Sequence, residues 1–419
     1  MTNTTWSNID INKFDTLKEN IRTDNLVIGG GICGILCAYQ LKQKGQNVVL
    51  VEKRKIADER TNKTTATITA LQDIMYKDLS IKKRRLYYAS CIEALNEYKK
   101  LNVKYNFDFE IVSSYKYFND IEIFSEEYKA IKEIGYIPQI YNYNGYKVLE
   151  FKNQAQMNPM LLIKELVNEF TIYENTEIIK IDKNIAYTKN NTIEFKNVII
   201  ATGYPFMKIK GLFFTKLYQN KSYVIEIENN NKFKYNAIGS NIGDIYTRTY
   251  NNSLLIGASD QRTGNNKGGF KPIIELIKNK YNNNKIINKW INQDCMTLDN
   301  IPYIGRLKDN VFVACGFNMW GMTGSMTAST LIRDLILGVN NKYEVLFSPK
   351  RKLPIIKYIE NMFTAVVNLL TPKLKRCNHL GCALKYIEEE NAYECPCHGS
   401  KYTKDGDVIY NPANKKINK

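Results

Sequence analysis

Histidine is almost absent from this 419-residue chain: only His379 and His398 occur. Both sit in one short cysteine cluster near the C-terminus, so none is left for any other task. Outside the cluster this excludes a Ser-His-Asp hydrolase, a histidine general base, and an iron held by two histidines and a carboxylate. Long apolar runs are missing too. No stretch approaches the ~18 residues that a membrane helix requires. The most apolar one, Met362 to Leu370, contains Asn368 and reads as part of an amphipathic connector helix. The polar N-terminus carries no signal-peptide pattern. Five of the nine cysteines (Cys33, Cys37, Cys91, Cys295, Cys315) are scattered through apolar runs and read as buried thiols, which suits a reducing cytoplasm. Acidic residues are too few to balance the basic ones, leaving a net charge of +17. The lysines are nevertheless dispersed, and short runs such as Lys82 to Arg85 and Lys350 to Lys352 read as solvated faces. No nucleic-acid partner is expected.

What is present at the C-terminus is a ligand set. Cys377-Asn378-His379-Leu380-Gly381-Cys382 is followed by Cys395-Pro396-Cys397-His398-Gly399-Ser400. Zinc is one reading of two thiolates and two imidazoles, but zinc sites usually place like ligands together on one knuckle or helix. Here each loop supplies one cysteine and one histidine. That mixed pairing suits a two-iron centre in which one iron takes two thiolates and the other two imidazoles.

The two boxes closely resemble those of Rieske 2Fe-2S domains. The resemblance implies Cys377, His379, Cys395 and His398 as iron ligands and a Cys382–Cys397 disulfide. It further implies that the Ser400 and Tyr402 hydroxyls hydrogen-bond the sulfurs, and that Asn411-Pro412-Ala413 covers the cluster, with Asn where relatives have Gly. A usual Rieske domain has several strands before its first box. Here a helix-like stretch, Ile355 to Leu370, runs almost up to Cys377, so the module looks abbreviated and is expected to lean on the preceding domain.

Near the other end, Asn25 to Ile28 reads as a buried strand and Gly29-Gly30-Gly31-Ile32-Cys33-Gly34 as a turn into a helix. A second strand, Val48 to Val51, ends in Glu52. Gly29, Gly31 and Gly34 form G-x-G-x-x-G in strand–turn–helix context, where backbone closely approaches a pyrophosphate and Glu52 accepts from a ribose. Phe195 to Gly203 reads as a strand ending in Ala201-Thr202-Gly203. A third element runs from Asp299 through Gly316 to Gly321-Met322-Thr323-Gly324, which opens a helix. This ordered trio resembles that of flavoproteins of the glutathione-reductase type, which implies FAD rather than NAD and a last helix whose positive end points at the flavin.

These elements resemble the glycine/D-amino acid oxidase (DAO) family of FAD-dependent oxidoreductases, and more narrowly bacterial members with a fused Rieske module. The likeness covers nearly the whole chain. It implies cofactor contacts from Gly29, Gly31, Gly34, Glu52, Thr65, Thr202, Gly203, Gly316, Gly321, Met322 and Thr323. Gln154-Ala155-Gln156 matches a box of that subgroup, although Asn158 stands where relatives often have histidine.

The expected architecture is an α/β FAD-binding domain of glutathione-reductase type, an α+β substrate domain, and a small all-β Rieske module. The FAD-binding domain takes 1–78, 150–213 and 296–345. The substrate domain takes 79–149 and 214–295, 346–374 forms a connector, and 375–419 forms the module. Asn-rich clusters at 229–231 and 282–284 mark loops.

The expected function is oxidation of a small amine or amino-acid-like donor, with electrons passing through FAD and the cluster to an unidentified acceptor. The alternative is a redox-responsive or electron-carrier protein without a small organic substrate. No catalytic residue is legible. Arg248 and Arg262 are candidates for binding a substrate carboxylate.

Overall fold

A computed structural model describes residues 3–73, 75–205, 211–230, 233–239, 245–281, 285–372 and 375–417. Asn231 and Asn282 to Asn284, within the expected loops, lie outside these residues.

Parallel strands with uninterrupted apolar runs need cover on both faces, and such runs are Leu26 to Ile28 in strand Ile21–Ile28, the whole of Val48–Val51, and Val198 to Ala201 in strand Thr192–Gly203. Leu26 pairs with Val49 on one side and Val198 on the other. The path continues to Thr171–Tyr173 at one edge and through Val311–Cys315 to Tyr303–Lys308 at the other, within an eight-stranded sheet. Helix Ile32–Lys42 is buried on all sides from Ile32 to Leu41, packed between this sheet and helix Gly321–Ile336. Its close approach depends on Gly34, where a Cβ would come within 1.9 Å of the Gly29 carbonyl oxygen.

The second sheet has nine strands. Its long members are Glu110–Phe118, Tyr146–Gln156, Leu217–Glu228, Ser253–Arg262 and Ile286–Thr297. Strand Tyr146–Gln156 runs across position 150, where the sequence suggested a boundary, and lies wholly in this sheet. Helix Ile81–Lys104 packs beside helix Gly321–Ile336, and Tyr98 donates its hydroxyl to the Met322 carbonyl over 2.9 Å.

The C-terminal module is four short antiparallel strands in chain order: Lys385–Ile387, Ala392–Glu394, Lys401–Thr403 and Val408–Tyr410. Helix Ile355–Leu370 leads into it. Asn361 is its one buried residue among those described, and Ala365 packs on the module's core. Its apolar side chains Ile355, Ile356, Phe363 and Leu370 are exposed. The helix therefore connects through its polar and small residues, not its apolar ones.

Candidate active site and metal centre

The first glycine turn builds one wall of an elongated cavity. Gly29 has φ +114°, and a Cβ there would meet the Ala201 oxygen at 2.5 Å, so only glycine passes beside the strand that ends in Thr202-Gly203. Gly31 begins helix Ile32–Lys42 without any side-chain cap. Its first N–H groups are therefore free to meet an anion, apart from Ile32 N–H, which Thr61 Oγ1 accepts at 3.1 Å. Glu52 accepts from Gly30 N–H at 2.7 Å and Arg54 N–H at 2.9 Å. Burial pushes its carboxyl up despite those bonds.

Gly29, Gly31, Glu52, Thr202, Gly203, Gly321 and Met322 all line this one cavity. The uncapped start of helix Gly321–Ile336 opens onto it, which suits a flavin ring acquiring negative charge. Four residues from the sequence analysis do not line it. Gly34 acts through helix–strand packing. Gly316 is held against Thr297, whose Cγ2 a Cβ would meet at 2.4 Å. Thr323 Oγ1 accepts from Thr69 N–H at 3.2 Å. Thr65 faces a second cavity.

That second cavity adjoins the first, sharing Thr64, Asn292, Asp294, Met319 and Met322 as wall residues. It lies against the nine-stranded sheet, where Asn220, Ser222, Asn236 and Asp260 face it. Neither arginine proposed for a carboxylate is on its wall. Arg248 is buried, donating to Gln156 Oε1 at 3.1 Å, to the Met157 carbonyl at 2.8 Å and to the Thr65 carbonyl. Its guanidinium also lies 5.3 Å from the Trp6 ring centre and 5.4 Å from that of Tyr250. Asn158 caps helix Pro159–Leu166 and donates to the Tyr250 hydroxyl at 2.9 Å, so it too is structural.

Arg262 instead grips the second cysteine box. It donates to the carbonyls of Pro396 and Cys397, each at 3.0 Å, and to Asn361 Oδ1 at 2.7 Å. Around that box Cys377, His379, Cys395 and His398 are all buried. The two imidazole centres are 4.9 Å apart. His379 Nδ1, His379 Nε2 and His398 Nδ1 are buried without a hydrogen-bond partner, an arrangement that metal ligation would satisfy. Burial drives His379 down to about 4 and His398 to about 3, leaving both rings neutral, as a metal requires. Cys382, Cys395 and Cys397 sulfurs lie within 4.8 Å of one another. All nine cysteines are free thiols here, so Cys382 and Cys397 are neighbours without a bond between them. Tyr402 OH lies 3.2 Å from Cys377 Sγ, and Ser400 Oγ accepts from Ala413 N–H at 3.0 Å.

The histidines point inward. The buried Tyr204 ring, directly after Thr202-Gly203, lies 6.2 Å from His379 and 6.4 Å from His398. Asn411 joins the two sites, donating to the Thr202 carbonyl at 3.1 Å, while Asn411 to Asn414 line the glycine cavity itself. Gln219 donates to the carbonyls of His398 at 2.7 Å and Asn411 at 2.9 Å. Arg60 donates to Gln219 Oε1 at 2.8 Å and Asn411 Oδ1 at 3.2 Å. Lys221, fully buried, pairs with Glu390 at 2.6 Å and Glu394 at 2.9 Å. No local pattern announces Tyr204, Gln219 or Lys221, because their partners lie far along the chain.

The fold and the two sites define a flavin-dependent oxidoreductase that carries an iron–sulfur module. The chain belongs to the FAD dependent oxidoreductase (DAO) family, whose model matches residues 24–335, and a Rieske [2Fe-2S] domain model matches 370–419. Its DAO domain binds FAD and its C-terminal module binds a 2Fe-2S cluster. YhfW of Bacillus subtilis (strain 168), named as a Rieske 2Fe-2S iron-sulfur protein, is 28% identical over 99% of this chain and 96% of its own. The cytochrome b6-f complex iron-sulfur subunit of Chlorobaculum thiosulfatiphilum is 39% identical over 67 residues, 15% of this chain and 36% of that one. Among solved structures, glycine oxidase from Geobacillus kaustophilus superposes with a TM-score of 0.67 at 19% identity, covering 80% of this chain and 100% of that one. L-proline dehydrogenase from P. horikoshii gives 0.67 at 17%, covering 79% and 98%. These two likenesses speak for the fold. Among the described residues no helix is long and apolar enough to cross a membrane.

Proposed function

We propose that this oxidoreductase takes a hydride from a small amine or amino-acid-like donor and passes the electrons to its own Rieske cluster. The observation that carries the reading is the inward aim of His379 and His398 onto Tyr204, which itself lines the glycine cavity. FAD when bound accepts two electrons as a hydride, and a 2Fe-2S cluster carries one at a time, which is a physical reason to join them.

In this reading Gly29, Gly31 and Glu52 hold the dinucleotide, and Met322 and Asp294 stand where the two cavities meet. Cys377, His379, Cys395 and His398 hold the cluster, and oxidation of the neighbouring Cys382 and Cys397 thiols would clamp the two loops with a disulfide. Asn411 and Gln219 fix the module's distance from the flavin turn.

The test is anaerobic mixing of holoprotein with a panel of amines and amino acids. The expected result is flavin bleaching followed by the electron paramagnetic resonance signal of a reduced Rieske cluster in the same molecules. Bleaching with a cluster that stays oxidised would refute the internal transfer.

A further inference from the structure

We propose that the donor cavity selects amines that lack a carboxylate, binding them as cations through Asp260 and the amide oxygens around it. This rests on the reading of the second cavity as the donor site.

A carboxylate-bearing donor calls for a guanidinium or ammonium facing it, yet among the described residues the only basic one on the cavity wall is Lys63. Lys63 is already committed, donating its ammonium to the Tyr410 hydroxyl of the cluster module. The described wall carries three carboxyls instead: Asp73, Asp260 and Asp294. Asp73 stands at the rim and accepts from Trp320 Nε1 at 3.1 Å, and Asp294 accepts from Asn292 Nδ2 at 2.8 Å.

The unpartnered atoms point the same way. Asp260, only 8% exposed, has Oδ1 buried with no partner. Asn220 and Asn292, 5% and 9% exposed, each leave a side-chain oxygen in the same condition, and Asn236, 2% exposed, leaves both its amide atoms. A buried acceptor without a donor is a cost that proteins rarely leave uncompensated. Asp260, Asn220 and Asn292 line one space, and an alkylammonium entering it brings N–H donors to a wall whose side-chain oxygens lack them.

Proton bookkeeping fits as well. Burial first, then the neighbouring Asp73 and Asp294, push the Asp260 carboxyl up to about 8, with Lys267 opposing. Burial alone lifts Asp294 to about 6, against the pull of Arg60. A donor entering as an ammonium must shed a proton before its α-carbon can release a hydride. Above about pH 8 Asp260 is a carboxylate and can accept that proton, leaving a free amine. The hydride goes to the flavin, the nitrogen lone pair becomes the second C–N bond, and the amine leaves as the iminium ion.

The test titrates oxidised holoprotein anaerobically with matched pairs, each an alkylamine or diamine and the α-amino acid of the same chain length. Binding is read from the flavin spectrum and reduction from its bleaching. Amines are expected to bind at least tenfold more tightly than their partners, and Asp260→Asn to weaken amine binding at least tenfold with FAD content unchanged. Amino acids matching or exceeding the amines would overturn the selectivity while leaving donor oxidation standing. If neither class binds or bleaches a flavin that dithionite does reduce, the donor-oxidising function falls, and this proposal with it. Should Asp260→Asn lose FAD, the wild-type comparison decides alone.

Discussion

Asn411 and Thr202 are 209 positions apart, yet the Asn411 side-chain amide donates to the Thr202 carbonyl across 3.1 Å. The loop over the cluster is thereby tied to the turn that lines the dinucleotide cavity. Asn411 Oδ1 also accepts from Arg60. Replacing it by Gly, the residue that Rieske relatives resemble here, removes both ties. At about 0.5–1.5 kcal/mol net for each hydrogen bond, Asn411→Gly should loosen the module by about 1–3 kcal/mol. Faster proteolytic release of the C-terminal module, with iron content unchanged in the intact protein, is the expected reading.

The buried ion group should matter more. Lys221 lies between Glu390 and Glu394, and all three side chains are essentially inaccessible. Removing one partner of such a group leaves an uncompensated buried charge, at about 3–5 kcal/mol. Lys221→Met should lower the denaturant midpoint of the holoprotein accordingly. Adding Glu390→Gln should recover part of the loss, whereas independent surface residues would simply add.

Acid should undo the same contact. Burial opposes ionisation of Glu390, but Lys401 and Lys221 outweigh it and hold the carboxyl at about 2, below its ordinary 4.5. A carboxyl depressed on folding adds stability that is complete above the unfolded value and disappears as pH falls through the folded one. The module's resistance to an acid-tolerant protease should therefore fall away between about pH 4.5 and 2. Glu390→Gln should flatten that dependence.

Tyr402 and Ser400 should set the cluster's potential. Tyr402 OH sits 3.2 Å from Cys377 Sγ, and Ser400 is buried beside the same sulfur. A hydrogen bond to a charged acceptor is worth about 1.5–3 kcal/mol, which at 59 mV per tenfold caps each shift on the order of 100 mV. Tyr402→Phe and Ser400→Ala should lower the midpoint stepwise in a redox titration with iron content intact. Unmoved midpoints in both variants would show that neither hydroxyl tunes the centre.

Metal analysis should find two irons and two acid-labile sulfides per chain, without stoichiometric zinc. His398→Ala should abolish that cluster while FAD remains bound, since the glycine cavity draws nothing from His398.

Much of this was legible because local chemistry announces it. The glycine turn, Glu52 and the two cysteine boxes are contiguous motifs whose spacing carries their geometry. Tyr204 was silent, since one tyrosine after a strand looks like any other until the chain folds a second site against it. Arg248 and Arg262 were misread for a related reason. Most partners of these two arginines are main-chain carbonyls, which no sequence displays, so a buried brace and a substrate anchor look alike. Lys221 shows the limit most clearly, because its carboxylates lie 169 and 173 positions away.

The burial of the two imidazoles has an operational meaning. A redox centre exchanges electrons through the edge it presents, and here the histidine edge is capped by Tyr204 and Phe214 of the same chain. Soluble oxidants and reductants meet insulation on that side. In the proposed reading the cluster is an internal relay with a fixed gap, so traffic across it would be indifferent to protein concentration, and a terminal partner would make contact elsewhere on the molecule.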